Sequence, residues 1–198
     1  INGANRLGGN SLSDLIVFGK RAGEFAAKYA KENKAGQINS AQIEETTRRA
    51  IEPFNRNVGG AGYEGPYQVQ YDLQEMMQNL VGIVRREDEM IRARDGLQRL
   101  WERARRVGVT GHREFNPGWH TALDLISLLT VSECITHAAL ERKESRGAHF
   151  RDDFPDKDPA FGKVSVVLKK APDGAMQVRR EPLPEMPDYL KQVIEENR

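Results

Sequence analysis

The sequence predicts a mainly α-helical chain, an antiparallel bundle of three long helices with a small β-hairpin after it and further helix ahead of it. Three observations carry that expectation. Apolar residues recur at three- and four-residue steps over the long central stretches, the links between those stretches are short, and after Lys163 the period changes to two around an Ala-Pro-Asp-Gly turn.

Taken in order, Leu15, Phe18, Ala22, Phe25, Ala26 and Tyr29 share one face of a helix opening near Ser11, with Lys20, Arg21, Lys28 and Lys31 between them. Asn39 or Ser40 caps a second helix, Ala41 to about Ile51, which Pro53 ends. The glycine-rich stretch from Asn55 to Gly65 has no apolar period and reads as a loop and domain boundary. Pro66 suits a first helical turn, and Val69, Leu73, Met76, Met77, Leu80 and Val84 mark the face of the helix that follows. Met90, Leu97, Leu100, Trp101, Ala104 and Val107 mark the next, ending near Gly108. A third long helix runs from about Pro117 to Lys143. Val164, Val166 and Leu168 alternate in one strand, Met176 to Arg180 returns as the other, and Tyr189 to Asn197 forms a short closing helix.

With 38% hydrophobic and 30% charged residues and a mean hydropathy of -0.65, the chain reads as a globular domain with a charged surface. The 198 residues carry 30 Lys and Arg against 29 Asp and Glu, too balanced for general attraction to nucleic acid or anionic lipid. Arg85, Arg86, Arg92, Arg94, Arg99, Arg103, Arg105 and Arg106 crowd two successive helices, but acidic residues alternate with them, so they read as a solvated face and not as a nucleic-acid site. The longest apolar run, Thr121 to Leu140, contains Asp124, Glu133 and His137 and reads as a core helix without membrane insertion. No secretory leader is expected at the N-terminus. Cys134, the single cysteine, reads as a buried small hydrophobe in a protein of a reducing compartment.

The four histidines lack a carboxylate or cysteine constellation at metal-ligand spacing, so no metal site is proposed. Gly60-Ala61-Gly62-Tyr63-Glu64-Gly65 spells the dinucleotide pattern G-x-G-x-x-G, yet it follows a predicted helix where the pattern needs a strand, and it is set aside. The stronger signal is at the N-terminus, where Gly3-Ala4-Asn5-Arg6-Leu7-Gly8-Gly9-Asn10-Ser11-Leu12 runs into the first helix. Small residues there permit close approach of a ligand, and a helix start presents unpaired N–H groups that favour an anion or an electron-rich ring.

That segment, with the helix reading SDLIVFGKRAG behind it, closely resembles the last flavin-contacting segment of the succinate dehydrogenase and fumarate reductase flavoproteins. Glu144-Ser145-Arg146-Gly147-Ala148-His149-Phe150-Arg151-Asp152-Asp153-Phe154-Pro155 is similar to that family's second marker. The resemblance spans nearly the whole chain, weakening over 37–63 and after Phe161. It implies that the chain is the C-terminal portion of such a flavoprotein, opening on the last helical segment of an FAD-binding α/β domain. Residues 1–57 would close that domain, 58–65 form a linker, 66–158 the bundle, and 159–198 the hairpin and tail.

The resemblance further implies succinate and fumarate interconversion by hydride transfer to FAD. Electrons would pass to an iron-sulfur subunit and, through a membrane-anchor subunit, to quinone. The protein would sit peripherally on the inner face of the cytoplasmic membrane, or on the matrix equivalent. Arg6 matches the arginine that binds a substrate carboxylate, while Asn10, Ser11 and Leu12 match positions on the flavin. A guanidinium fork suits a carboxylate on physical grounds. Arg146, His149 and Arg151 are read as tying the helix end to the flavin domain, with Arg146 buried against Glu144 or Asp153 and His149 a satisfied histidine. The dinucleotide fold, the flavin-attaching histidine and the proton-shuttling arginine would precede Ile1, so the chain alone is expected to be inactive. An L-aspartate oxidase-like flavoenzyme and a non-catalytic helical docking module are the competing readings.

Overall fold

The computed structural model describes residues 10–56 and 58–197. Its elements are mostly helical, with two small two-stranded sheets. Helix α1 (Asn10–Glu32) opens the described chain and takes no part in the core, its apolar residues Leu15, Ile16, Phe25 and Tyr29 all lying exposed. Helix α2 (Ser40–Ile51) begins where Asn39 accepts a hydrogen bond from the Gln42 N–H, and a 3-10 turn over Glu52–Asn55 follows it. Three anchors attach that turn to the rest. Trp119 Nε1 donates to the Ala50 carbonyl at 2.7 Å, Arg56 donates to the carbonyls of Ala104 and Val107, and Phe54 packs on the Trp119 ring.

The core lies where α3 (Pro66–Leu80), α4 (Glu87–Ala104) and α5 (Pro117–Glu141) pack on one another. Val69 and Leu73 of α3, Leu97, Leu100 and Ala104 of α4, and Ala122, Leu125 and Leu129 of α5 form one buried cluster. Gly96 lets α4 pass close to α3, since a Cβ there would stand 2.3 Å from the sulfur of Met76. By length and composition α5 could cross a membrane, but its face Ala122, Leu125, Leu129, Thr136 and Ala139 is buried in this core. Glu133, part of that apolar run, accepts from Trp101 Nε1 of α4 at 3.2 Å.

Two expectations are corrected. The helix from Pro66 stops at Leu80 and does not reach Val84, which instead enters the short strand β1 (Val84–Arg85). Gly82 explains the break: a Cβ there would meet the Gln78 carbonyl oxygen at 2.5 Å, so this tight exit excludes any other residue. β1 pairs in parallel with β2 (Phe150–Arg151), a pairing too short to leave an alternating pattern in the sequence. Cys134 is only half-buried and lies beside the hairpin.

The hairpin itself forms as expected. β3 (Val164–Lys170) and β4 (Met176–Pro182) pair antiparallel across a turn in which Gly174 adopts φ 87°. It is attached to α5 through Arg180, whose Nε bonds Glu141 at 2.7 Å and whose guanidinium lies over the buried Phe161 ring. Helix α6 (Asp188–Glu196) closes the described chain with its apolar residues exposed. The G-x-G-x-x-G stretch sits between the 3-10 turn and α3, with no strand leading into it among the described residues and with Gly62 at positive φ.

Candidate functional site

Two regions carry the residues singled out by sequence. Arg6 and the glycines before the first helix lie outside the described residues, as does the side chain of Asn10. Asn10 opens α1, Ser11 is partly exposed and Leu12 is 65% exposed, with no acidic residue in the first turn. The first-turn N–H groups of a helix have no acceptor within it. Here they coincide with the positive end of the helix dipole, and the first turn itself carries no acidic side chain.

The second region is Glu144 to Pro155, a clasp between the end of α5 and the start of α4. Gly147 adopts φ 63°, and Arg146 and His149 exchange backbone hydrogen bonds of 2.8 and 3.1 Å around it. This tight turn reverses the chain into β2, which lies along Val84 and Arg85. Ser145 stitches the loop: its hydroxyl accepts from the Arg151 N–H and donates to the Phe154 carbonyl.

Glu144 is fully buried. Its carboxylate accepts from the guanidinium groups of Arg142 and Arg146 and from the Asp158 N–H at 2.8 Å. The Arg146 bonds first, then the Asp158 N–H and Arg142, outweigh the opposing effect of burial and hold its pKa near 2. Arg151 is the other fully buried charge; it forks onto Asp153 and donates Nη1 to the Ala139 carbonyl at 2.9 Å. Asp153 also accepts from the Glu87 N–H at 2.9 Å, so it caps α4 as well as neutralising Arg151, and its pKa too falls to about 2.

His149 is satisfied at both nitrogens. The Arg142 carbonyl at 2.9 Å can only accept, which places the proton on Nε2, and Nδ1 then accepts from Arg85 Nη1 at 2.9 Å. Burial, followed by the charges of Arg85, Arg151 and Arg142, lowers its pKa, so the ring is held neutral.

The structure therefore keeps Glu144, Arg146, His149 and Arg151 together and pairs Arg146 with Glu144 as expected, but corrects which arginine is buried. Arg146 is exposed, and Arg151 is the buried member; the clasp binds the α3–α4 connection. Sequence reasoning also missed Arg85 and Arg103 by assigning them to a solvated face. Arg85 is half-buried in β1, and Arg103 bridges Glu64 at 2.9 Å and Asp72 at 2.7 Å. Gly82 was the available signal for Arg85, since a helix that ends there takes the next residues off the solvated helix face.

The family model for the fumarate reductase flavoprotein C-terminal region matches residues 70–191, more than half of the chain. The chain belongs to the succinate dehydrogenase and fumarate reductase flavoprotein family, as its C-terminal part. Among members of this flavoprotein family, the fumarate reductase flavoprotein subunit of Mycobacterium tuberculosis is 35% identical over 182 residues, covering 90% of this chain and 31% of its own length. The Mycobacterium smegmatis Sdh1 complex contains a chain 41% identical to this one, with a TM-score of 0.84 over 96% of this chain and 34% of that one. An Escherichia coli quinol fumarate reductase superposes with a TM-score of 0.78 at 31% identity, over 92% of this chain and 32% of that one. The chain thus spans about a third of the length of the flavoproteins it matches.

Proposed function

We propose that this chain is the C-terminal part of an FAD-dependent flavoprotein that interconverts succinate and fumarate. The observation that carries the reading is the glycine-rich segment running into α1 in the same chain as the Glu144–Pro155 clasp, within this family. FAD, when bound, supplies the redox chemistry. The residues present suit it, because the start of α1 is free of carboxylates and open at Ser11 and Leu12.

Asn10, Ser11 and Leu12 would hold the flavin ring through backbone groups, and the helix dipole would favour negative charge on it. Arg6 would grip one carboxylate of the dicarboxylate with two parallel bonds, fixing its orientation. Residues 1–57 would close the flavin-binding domain, with 58–65 as linker, α3 to α5 within 66–158 as an antiparallel three-helix bundle, and 159–198 as hairpin and tail. The exposed apolar residues of α1 support that division, since a helix of this kind buries such residues against another layer.

The complexes named among the structural relatives support assembly with an iron-sulfur subunit and a membrane anchor; on this reading the flavoprotein lies peripherally on the inner face of the cytoplasmic membrane or on the matrix equivalent. On this reading the chain alone is inactive, because the greater part of the flavin site belongs to the rest of the protein. The test is to isolate the native protein with an antibody against this chain and to record its mass, visible spectrum and succinate-dependent dye reduction. A larger yellow polypeptide that reduces dye supports the proposal, and a colourless species of 22.3 kDa refutes it. In the active protein, Arg6→Ala should lower turnover with succinate while leaving flavin bound.

A further inference from the structure

Three guanidinium groups surround His149, and one of them lacks a counter-charge. Arg142 has Glu144, and Arg151 has Asp153. Arg85 has no carboxylate within ion-pair distance among the described residues. Its Nε donates to the Val81 and Gly82 carbonyls, its Nη1 to neutral His149, and its Nη2 to no described residue. A half-buried cation whose neighbours are a neutral ring and other cations leaves uncompensated positive potential.

That potential opens onto a cavity of about 450 Å³ between the end of α5 and β3. Arg85, His149 and Arg142 line one side, the Arg142 guanidinium being engaged by Glu144 and by the Phe161 and Val164 carbonyls; Ser165 offers a hydroxyl, and Ile135, Ala138 and Val166 form an apolar wall. We propose that this cavity binds a carboxylate group, held by the Arg85 guanidinium, with a short hydrocarbon body against the apolar wall. One free guanidinium edge suits a planar monoanion, whereas a phosphate or sulfate dianion would need further donors. His149 acts as a positioning residue, its Nδ1 accepting a hydrogen bond from Arg85 Nη1 and so fixing the plane of the guanidinium. The proposal depends on this geometry and not on the succinate and fumarate reading.

The experiment is equilibrium dialysis of radiolabelled butyrate against the complete flavoprotein, scored as the binding lost in Ser165→Glu. Ser165 is exposed on the hairpin, so that substitution spares the core and places a tethered carboxylate in the cavity. Arg85→Gln should remove the same fraction. Butyrate should bind more tightly than acetate, by about tenfold if both extra methylenes reach the wall, and sulfate should not compete.

A second arm uses the flavoprotein assembled with its partner subunits. Binding retained there identifies a free small carboxylate as the occupant; binding lost there means that the assembly supplies the carboxylate. If Ser165→Glu and wild-type protein bind equal amounts of butyrate, or if sulfate competes as well as butyrate, the proposal fails.

Discussion

Arg151 and Asp153, two residues apart, form a fork-to-fork pair at 2.7 Å through both nitrogen and oxygen pairs, with the arginine wholly buried. Because the same carboxylate caps α4 through the Glu87 N–H, one side chain both neutralises a core charge and fixes a helix start. Asp153→Ala should therefore cost about 3 kcal/mol or more, as expected when a buried ion is left without its partner. Arg151→Met together with Asp153→Asn should cost less than the single change, because no buried guanidinium is then left without its carboxylate. Urea unfolding of the three proteins checks the order, and equal losses in the single and double variants would contradict it.

Glu144 and Asp153 make stability depend on acid. Both carboxylates fall to about 2 in the folded protein, from ordinary values of 4.5 and 3.8. Depressed folded values mean that the unfolded chain binds protons first, so the stabilisation is full above about pH 4.5 and is lost as pH falls towards 2. Urea midpoints taken from pH 6 down to about pH 2 should decline over that interval. Glu144→Gln should start lower and show a shallower decline.

His149 should stay neutral below the pH at which histidines ordinarily titrate. Its pKa is lowered from 6.5 chiefly by burial and secondly by the surrounding arginines. The unfolded chain takes up the proton first, so this residue's contribution is complete above 6.5 and declines as pH falls below that value. The check is the histidine carbon-bound proton shift by NMR, assigned with His149→Gln. A His149 signal titrating at its ordinary value would remove the Nε2-protonated arrangement.

Much of this fold was legible because local signals and tertiary burial agreed. Asn39 caps α2, Pro66 and Pro117 open α3 and α5, and the Ala-Pro-Asp-Gly turn closes the hairpin. Legibility failed where long-range contact decided the outcome. Val84 continues the apolar period of α3, yet Gly82 ends that helix and the two-residue pairing with β2 takes Val84. Arg85 and Arg103 look like surface charge in a mixed run, because partners 31 or more residues away, Asp72 for Arg103 and His149 for Arg85, leave no local mark. The clasp was visible as a motif, but its function as a link between α5 and α4 required knowing what lay opposite it.

Arg103 gives the last prediction. It sits in the final turn of α4 and bonds Glu64, just before α3, and Asp72 within α3, so one guanidinium fixes how these two helices meet. Lysine keeps the charge but lacks the fork, and it cannot satisfy two carboxylates at separate angles. The pairing is roughly a quarter exposed at the arginine, so solvent screens part of its strength. Arg103→Lys should cost about 1 kcal/mol, and Arg103→Ala about 2 kcal/mol through the loss of charge-assisted bonds and of stem packing. Thermal unfolding should rank wild type above lysine and lysine above alanine. An alanine variant as stable as wild type would mean that α3 and α4 are held by their apolar contacts alone.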